Sequence, residues 1–220
     1  TSGTTGQPKG AIITHGNFVG ACINVLTFAA EVVGHGHAEP SRTLIFLPLA
    51  HVLAHTVQVI CLYGRLQVAH APSTATLLKD LGSFRPTWLL AVPRVFEKVY
   101  NAASRKAGMG WKGRLFLKAA EAARDWSHMQ QAGEKPTMKQ TAEHLSYEAS
   151  VYRTVRGALG PRIRYVACGG APLDVSLAHF FNGIGLPMIQ GYGMTETAAP
   201  FAANRVTDNV IGTVGQPAPG

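Results

Sequence analysis

Apolar and polar residues alternate along the chain with two different spacings. Short, nearly continuous apolar runs have the length of buried strands, while longer stretches repeat apolar residues every three or four positions, as helices do. Pro48 ends the first run, and Pro93 suits the first turn of a helix. The runs that predict strands are residues 43–47, 66–69, 87–92, 162–168 and 187–190. The stretches that predict helices are residues 17–33, 51–63, 73–84, 93 onward, 137–159 and 173–184.

Strands that alternate with crossover helices predict an α/β fold, with mainly parallel sheet layers and flanking helices. Ser73 is predicted to cap the helix that it begins. The two helices after Pro93 are predicted to be amphipathic, each with one apolar face. The apolar face of the first comprises Phe96, Val99, Tyr100, Ala103 and Ala107, and that of the second Leu115, Ala119, Ala123, Trp126 and Met129.

One stretch allows a second interpretation. Residues 43–64 contain no Asp, Glu, Lys or Arg, and the stretch is long enough to span a bilayer. It also contains Pro48, His51 and His55, and its periodicity breaks at the proline. A buried strand, turn and helix is therefore favoured over a transmembrane segment.

Composition and charge narrow the class of protein. The chain of 220 residues is 46% hydrophobic and 15% charged, which is typical of a globular protein. Three widely separated cysteines cannot form a full disulfide framework and fit a reducing cytoplasm, so a cytoplasmic location is predicted.

The formal charge of +8 is concentrated in one segment. Residues 85–164 hold 15 of the 20 Lys and Arg and 6 of the 12 Asp and Glu, a net charge of +9. This segment is either a solvated helical surface or an attractor of ATP, CoA or a phospholipid surface. Nucleic acid is not expected, because there is neither an aromatic-interleaved basic motif nor zinc-finger spacing.

The first ten residues predict a phosphate-binding loop. They combine four hydroxyl side chains (Thr1, Ser2, Thr4, Thr5), three glycines (Gly3, Gly6, Gly10) and Lys9. Glycines let backbone amides approach a polyanion, and the lysine adds positive charge. The spacing differs from a Walker A loop, which needs four residues between its glycines and ends in Gly-Lys-Ser/Thr.

The same ten residues resemble the signature T-S-G-T-T-G-x-P-K-G of the adenylate-forming superfamily. Further segments agree with that superfamily in order and spacing along almost the whole chain, and Val92–Tyr100 is similar to a segment of long-chain fatty acyl-CoA synthetases. The other similar segments are Leu47–His51, Gly169–Leu173, Gly191–Thr197 and Gly212–Pro217.

The resemblance implies that a fatty acid and ATP form an acyl-adenylate, which CoA converts to a thioester. Glu196 is expected to hold Mg²⁺, which favours carboxylate and phosphate oxygens, and Thr195 to contact the α-phosphate or the acyl oxygen. Lys9 is expected to act on the phosphates. The remaining implied contacts are Thr1, Ser2, Gly3, Thr4, Thr5 and Gly6 with phosphate, Gly170, Ala171 and Tyr192 with adenine, and His51 and Gly193 with the carboxylate.

Four further residues bear on the site: His51, Leu53, His55 and Cys168. His51 and His55 are four residues apart and could chelate a metal, but no third ligand has suitable spacing, so metal binding there is disfavoured. His55 and Leu53 differ from the arginine and phenylalanine common in the long-chain group, which leaves the acyl site's shape open. Cys168, where serine is common, is predicted to be a small buried residue.

Residues 1–220 are expected to form part of an AMP-binding domain whose C-terminal partner domain lies outside this chain. The chain alone is therefore expected to have little ligase activity. Three alternatives remain open: a ligase that loads a carrier protein, a non-catalytic nucleotide-binding relative, and a membrane-spanning transporter-type protein, which only the uncharged stretch of residues 43–64 supports. Small molecules are the expected partners, with peripheral membrane contact open for a long-chain substrate and the oligomeric state undetermined.

Overall fold

The computed structural model describes residues 10–33 and 40–218. The first described elements are α1 (His15–Phe28) and α2 (Ala30–Val33). Thr14 caps α1, because its hydroxyl accepts from the Asn17 amide at 3.2 Å while the Asn17 side chain accepts from the Thr14 amide at 2.9 Å. The prediction of one helix over residues 17–33 was wrong at Ala29, where the helix breaks. Val32 and Val33 of α2 are thereby buried in the same cluster as Cys22.

The uncharged stretch folds as a strand, a turn and a helix. Strand β1 (Arg42–Ile45) is followed by α3 (Val52–Tyr63) and then by β2 (Gln67–His70), which pairs parallel to β1. His51 is the N-cap residue of α3. Within the described part of the chain, no helix is both long and apolar enough to cross a membrane.

A second sheet of five strands carries the site. Strands β3, β4 and β5 are mutually parallel, which confirms the predicted fold class, and β6 and β7 continue the sheet antiparallel. Neither β6 nor β7 was predicted, because the residues involved show no apolar alternation. The strands are β3 (Trp88–Ala91), β4 (Tyr165–Cys168), β5 (Met188–Met194), β6 (Ala199–Ala203) and β7 (Gln216–Pro217).

Six helices connect or flank these strands. The predicted Ser73 cap was wrong: Thr76 is at the N-cap position of the first helix, and its hydroxyl donates to the Asp80 carboxylate and accepts from no backbone amide of the helix. The predicted helix over residues 137–159 is interrupted by a π-helical turn at Glu148–Tyr152. The helices are α4 (Leu77–Phe84), α5 (Pro93–Ala107), α6 (Trp111–Ala132), α7 (Met138–Tyr147), α8 (Arg153–Ala158) and α9 (Val175–Gly183).

Side chains from successive positions of β3 enter two different cores, as the two-residue repeat of a strand requires. Leu89 and Ala91 pack with helices α4 to α9 on one face. Trp88 packs with α1 and α3 on the other. Both faces of the parallel strands are therefore covered, and the carboxyl edge of these strands is where a ligand site is expected in such a sheet.

Candidate active site

Glycine-rich segments lie next to the end of β3: one follows β4, and the other is the carboxyl-terminal half of β5. The Gly169 amide donates to the Ala91 carbonyl at 3.3 Å, which joins the loop after β4 to the end of β3. Gly170 has φ of +81°, a conformation that residues with a Cβ rarely adopt. A Cβ at Gly169 would lie 3.5 Å from the Gly191 carbonyl oxygen. The loop after β4 and the carboxyl-terminal half of β5 therefore run close together at one edge of the sheet.

The carboxyl-terminal half of β5 and the turn that follows it present Tyr192, Thr195 and Glu196 at this edge. Tyr192 is 46% exposed, and its ring contacts Phe201 edge-on with centroids 5.2 Å apart. Thr195–Thr197 forms a single 3₁₀ turn, in which the Met194 amide donates to the Thr197 hydroxyl at 3.0 Å. These contacts hold the end of β5 and the turn after it, while the half-exposed Tyr192 side chain remains accessible for stacking.

The turn is also tied to α3. Ala198, which ends it, has φ of +56°, and its carbonyl accepts a buried hydrogen bond of 2.9 Å from the Thr56 hydroxyl. Thr56 and Ala198 are 142 positions apart in sequence. The position of Thr195 and Glu196 therefore depends on the packing of the loop against α3.

Glu196 has the properties of a ligand for a hard cation. Its side chain is exposed, and no hydrogen bond or ion pair from a described residue reaches its carboxylate. Mg²⁺ binds proteins through one or two carboxylates while phosphates and waters complete its coordination. An accessible carboxylate at this edge of the sheet fits that requirement.

A cavity of about 290 Å³ opens beside these loops. His51, Gly170, Gly193 and Thr195 contribute to its polar part. Its walls are mostly apolar, and they are formed by side chains of α1, α2, α3 and β3, including Val25, Phe28, Val32, Val57, Ile60 and Leu90. The cavity therefore suits a molecule with a polar head and an apolar body.

The two histidines of the α3 region make separate contacts. The His51 Nδ1 atom accepts from the Leu53 amide at 3.3 Å, which leaves Nε2 for another partner. The His55 ring packs against Phe18 with centroids 4.9 Å apart. Among the described residues, no group of three His, Cys, Asp or Glu side chains is placed to hold a metal ion.

Cys168 lies at the end of β4 and is only 1% exposed, as the sequence predicts. Burial raises the pKa of its thiol to about 12. The thiol is therefore neutral near pH 7 and is not a nucleophile. Cys22 and Cys61 are also buried and not in disulfides.

The structure brings together some of the residues expected at the site. The cavity is lined by His51, Gly170, Gly193 and Thr195. The neighbouring residues Ala171, Tyr192 and Glu196 do not line it. The phosphate-loop residues Thr1, Ser2, Gly3, Thr4, Thr5, Gly6 and Lys9 lie outside the described residues.

Sequence reasoning missed Asn204, which lines the cavity and is 4% exposed. Its side chain donates to the Thr213 carbonyl at 2.8 Å and accepts from the Val210 amide at 3.1 Å. A single asparagine in a turn-rich segment carries no pattern of its own. The apolar wall contributed by α1 and α2 was also missed, because it depends on the break at Ala29.

The match to a protein family agrees with this geometry. The model of the AMP-binding enzyme family matches residues 1–220. The chain therefore belongs to the family of AMP-binding enzymes.

Several relatives have more specific names. The long-chain-fatty-acid–CoA ligase FadD15 of Mycobacterium bovis is 41% identical over 220 residues, covering all of this chain and 36% of the relative. The peroxisomal long chain acyl-CoA synthetase 6 of Arabidopsis thaliana is 31% identical over 229 residues, covering all of this chain and 30% of the relative. The chain thus spans about a third of the length of these relatives.

Solved structures share the fold. The inhibitor-bound N-terminal domain of FACL13 from Mycobacterium tuberculosis has a TM-score of 0.64 at 19% identity, covering 99% of this chain and 42% of that one. O-succinylbenzoate coenzyme A synthetase from Bacillus subtilis, in complex with ATP and magnesium, has a TM-score of 0.62 at 19% identity, covering 99% and 34%. At this identity the likeness shows the architecture alone.

Proposed function

We propose that this chain supplies the nucleotide-binding and carboxylate-binding part of a long-chain fatty acid–CoA ligase that forms AMP. The observation that carries the proposal is the mainly apolar cavity whose polar part is formed by His51, Gly193 and Thr195 at the carboxyl edge of the sheet. The names of the relatives that are 41% and 31% identical support the same substrate class.

In the first half-reaction, a carboxylate oxygen of the fatty acid attacks the α-phosphorus of ATP. The bond from that phosphorus to the bridging oxygen breaks, pyrophosphate leaves and acyl-adenylate forms. His51 and Gly193 border the carboxylate, and Thr195 donates a hydrogen bond to the α-phosphate or the acyl oxygen. Placing the two reactants in contact lowers the barrier by orientation.

The nucleotide is held by residues of three segments: the first nine residues, the loop after β4 and the end of β5. Tyr192 stacks on adenine, and Gly170 and Ala171 border the ring. Lys9 and the hydroxyls of Thr1, Ser2, Thr4 and Thr5, with the backbone of Gly3 and Gly6, bind the phosphates. Mg²⁺ held by Glu196 would neutralise phosphate charge.

In the second half-reaction, the CoA thiolate attacks the acyl carbonyl carbon. The carbon–oxygen bond to AMP breaks, so the acyl group becomes a thioester and AMP is released. This chain spans 36% of its FadD15 relative. We therefore propose that a further domain completes the site and that residues 1–220 alone have little ligase activity.

The substrate class can be tested with the full-length protein. Fatty-acid-dependent release of pyrophosphate is measured with acids from short to long chain, in the presence and absence of CoA. A maximum with long-chain acids and formation of acyl-CoA support the proposal. A maximum with short or aromatic acids contradicts the long-chain assignment, and acyl-adenylate that transfers only to a carrier protein contradicts CoA as the acceptor.

A pair of variants on α3 tests the role of the cavity. Val57 is buried and lines the cavity, whereas Leu62 on the same helix is 66% exposed and does not. Val57→Phe fills space that the acyl chain would occupy, so the chain-length optimum should shift to shorter acids. Leu62→Phe adds similar bulk outside the cavity and should leave the optimum unchanged. An unchanged optimum in the Val57→Phe variant would place the acyl chain elsewhere.

A further inference from the structure

We infer that the segment of residues 105–118, where α5 turns into α6, is a docking surface for an anionic phospholipid bilayer. We call this segment the basic corner. The inference does not depend on the proposed reaction, because it concerns a surface at a different end of the molecule.

Large apolar side chains of the basic corner are unusually exposed. Met109 is 99% exposed, Trp111 65% and Leu117 59%. Single exposed apolar residues are common, but here three lie within nine positions of the chain, and one of them is a tryptophan. Tryptophan favours the boundary between lipid and water, because its ring is apolar and its N–H is polar.

The charge of the same segment is complementary to anionic lipid. The basic corner contains Arg105, Lys106, Lys112, Arg114 and Lys118, and residues 98–120 contain no Asp or Glu. All five of these cationic side chains are exposed. The Lys112 ammonium lies 5.6 Å from the centroid of the Trp111 ring, so cationic and aromatic groups occupy one surface. An apolar tip surrounded by Lys and Arg is the usual composition of a peripheral membrane contact.

The turn that carries Met109 and Trp111 is closely packed. Gly108 has φ of +73°, and a Cβ placed on Gly113 would lie 1.9 Å from the Gly108 carbonyl oxygen. The Gly108 amide donates to the Ser104 carbonyl, and the Arg114 amide donates to the Gly110 carbonyl at 3.1 Å. Little backbone entropy would therefore be lost when the corner meets a membrane.

The topology places the basic corner away from the nucleotide site. Helix α5 begins at Pro93, next to the carboxyl edge of the sheet, and extends 15 residues to Ala107. A helix of that length measures about 22 Å. A bilayer that contacts the basic corner therefore leaves the glycine-rich loops open to ATP.

The test uses the full-length protein and sedimentation with vesicles. Vesicles of phosphatidylcholine mixed with phosphatidylglycerol should bind it, vesicles of phosphatidylcholine alone should bind it weakly, and added salt should reduce binding. The double variant Met109→Ser/Trp111→Ser and the double variant Lys112→Glu/Lys118→Glu should each weaken binding about tenfold, because the first removes apolar contact and the second removes attraction to anionic lipid.

Met138→Ser is the matched control. Met138 is 92% exposed, but it lies beyond the opposite end of the 22-residue helix α6. Its replacement should leave vesicle binding unchanged, and all variants should keep the wild-type activity on a water-soluble acid. Equal binding to both kinds of vesicle, no binding by the wild type, or an equal loss in the Met138→Ser variant would overturn the inference. None of these results bears on pyrophosphate release, so the two proposals fail separately.

Discussion

The α6–α9 interface and the carboxyl edge of the sheet both contain glycine and polar residues, but they use them in opposite ways. At the interface, a Cβ on Gly183 would lie 1.7 Å from the Ala123 carbonyl oxygen, so the glycine allows two helices to touch. At the edge, Gly170 provides a left-handed backbone conformation and leaves space above the loop. The first arrangement closes space, and the second keeps it open.

Polar groups differ in the same sense. At the interface, the buried Ser127 hydroxyl lies 2.9 Å from His179 Nδ1 and accepts from the Asn182 side-chain amide at 2.9 Å. At the edge, Glu196 is exposed and no described residue bonds to its carboxylate. Groups that bond to one another contribute to stability, whereas unbonded groups in an open site are available to a ligand. Substitutions in the two regions should therefore affect stability and activity separately.

Replacement of Glu196 should have the largest effect, and the effect should be on activity. Glu196→Gln in the full-length protein removes the negative charge proposed to hold Mg²⁺, and kcat should fall about 10²- to 10³-fold, as for loss of one group that stabilises transition-state charge. The thermal unfolding midpoint should not change, because no described residue bonds to the carboxylate. Glu134→Gln, at another exposed glutamate, is the control. Equal activities of the two variants would remove Glu196 from the site.

Gly183→Ala should have the largest effect on stability. The added methyl group overlaps the Ala123 carbonyl, so the helices must separate, and the free energy of unfolding should fall by about 3 kcal/mol. Urea denaturation measures the change. Gly82→Ala on α4 is the control, because a Cβ there meets nothing within 4 Å. That variant should be stabilised by about 0.5–1 kcal/mol through helix propensity, and a similar loss in both would contradict close packing at Gly183.

Ser127→Ala should reduce stability less. It leaves His179 and Asn182 without a buried partner, at a cost of about 2 kcal/mol. Among the described residues, the exposed Ser83 hydroxyl on α4 bonds only to the Asp80 carbonyl, so Ser83→Ala should change stability by less than about 0.5 kcal/mol. Equal urea midpoints for the two serine variants would show that the buried network contributes nothing.

The smallest expected effect is a dependence of stability on pH. Burial and the neighbouring His128 lower the pKa of His179 in the folded protein, below its ordinary value of 6.5. Between the folded and unfolded pKa values the unfolded chain binds more protons, so stability falls as the pH drops below about 6.5. His179→Gln should make urea midpoints less sensitive to pH in that window. Some dependence should remain, because burial also lowers the pKa of His144.

Much of the parallel framework could be predicted from local patterns. The apolar runs around β3 and β4, and Pro93 at the start of α5, correspond to the structure within a few residues. These elements are buried on both faces, so burial itself produces the pattern that predicts them. Cys168 follows the same logic, as a small residue at the end of an interior strand.

The structure around the site was less predictable. Strand β6 has the sequence Ala-Pro-Phe-Ala-Ala and is a strand because it pairs with the carboxyl-terminal half of β5. The π-helical turn at Glu148–Tyr152 also lacked a local signal. In it Glu148 pairs with Arg156, whose guanidinium also donates to the Ile184 carbonyl at the end of α9. The contact between Arg156 and Ile184 joins residues 28 positions apart, so it cannot be predicted from local spacing.

The sequence by itself determined the family, the order of the motifs and the residue types proposed to bind phosphate, adenine and carboxylate. Those motifs are short, so each is legible within a few positions. Only the tertiary structure decided three other features. Helices α1 and α2 close an apolar cavity beside Thr195, and Thr56 holds the end of the turn that contains Glu196. Met109 and Trp111 are exposed among cationic side chains. Each of these depends on contacts between distant segments, which form only when the sheet and its helices pack together.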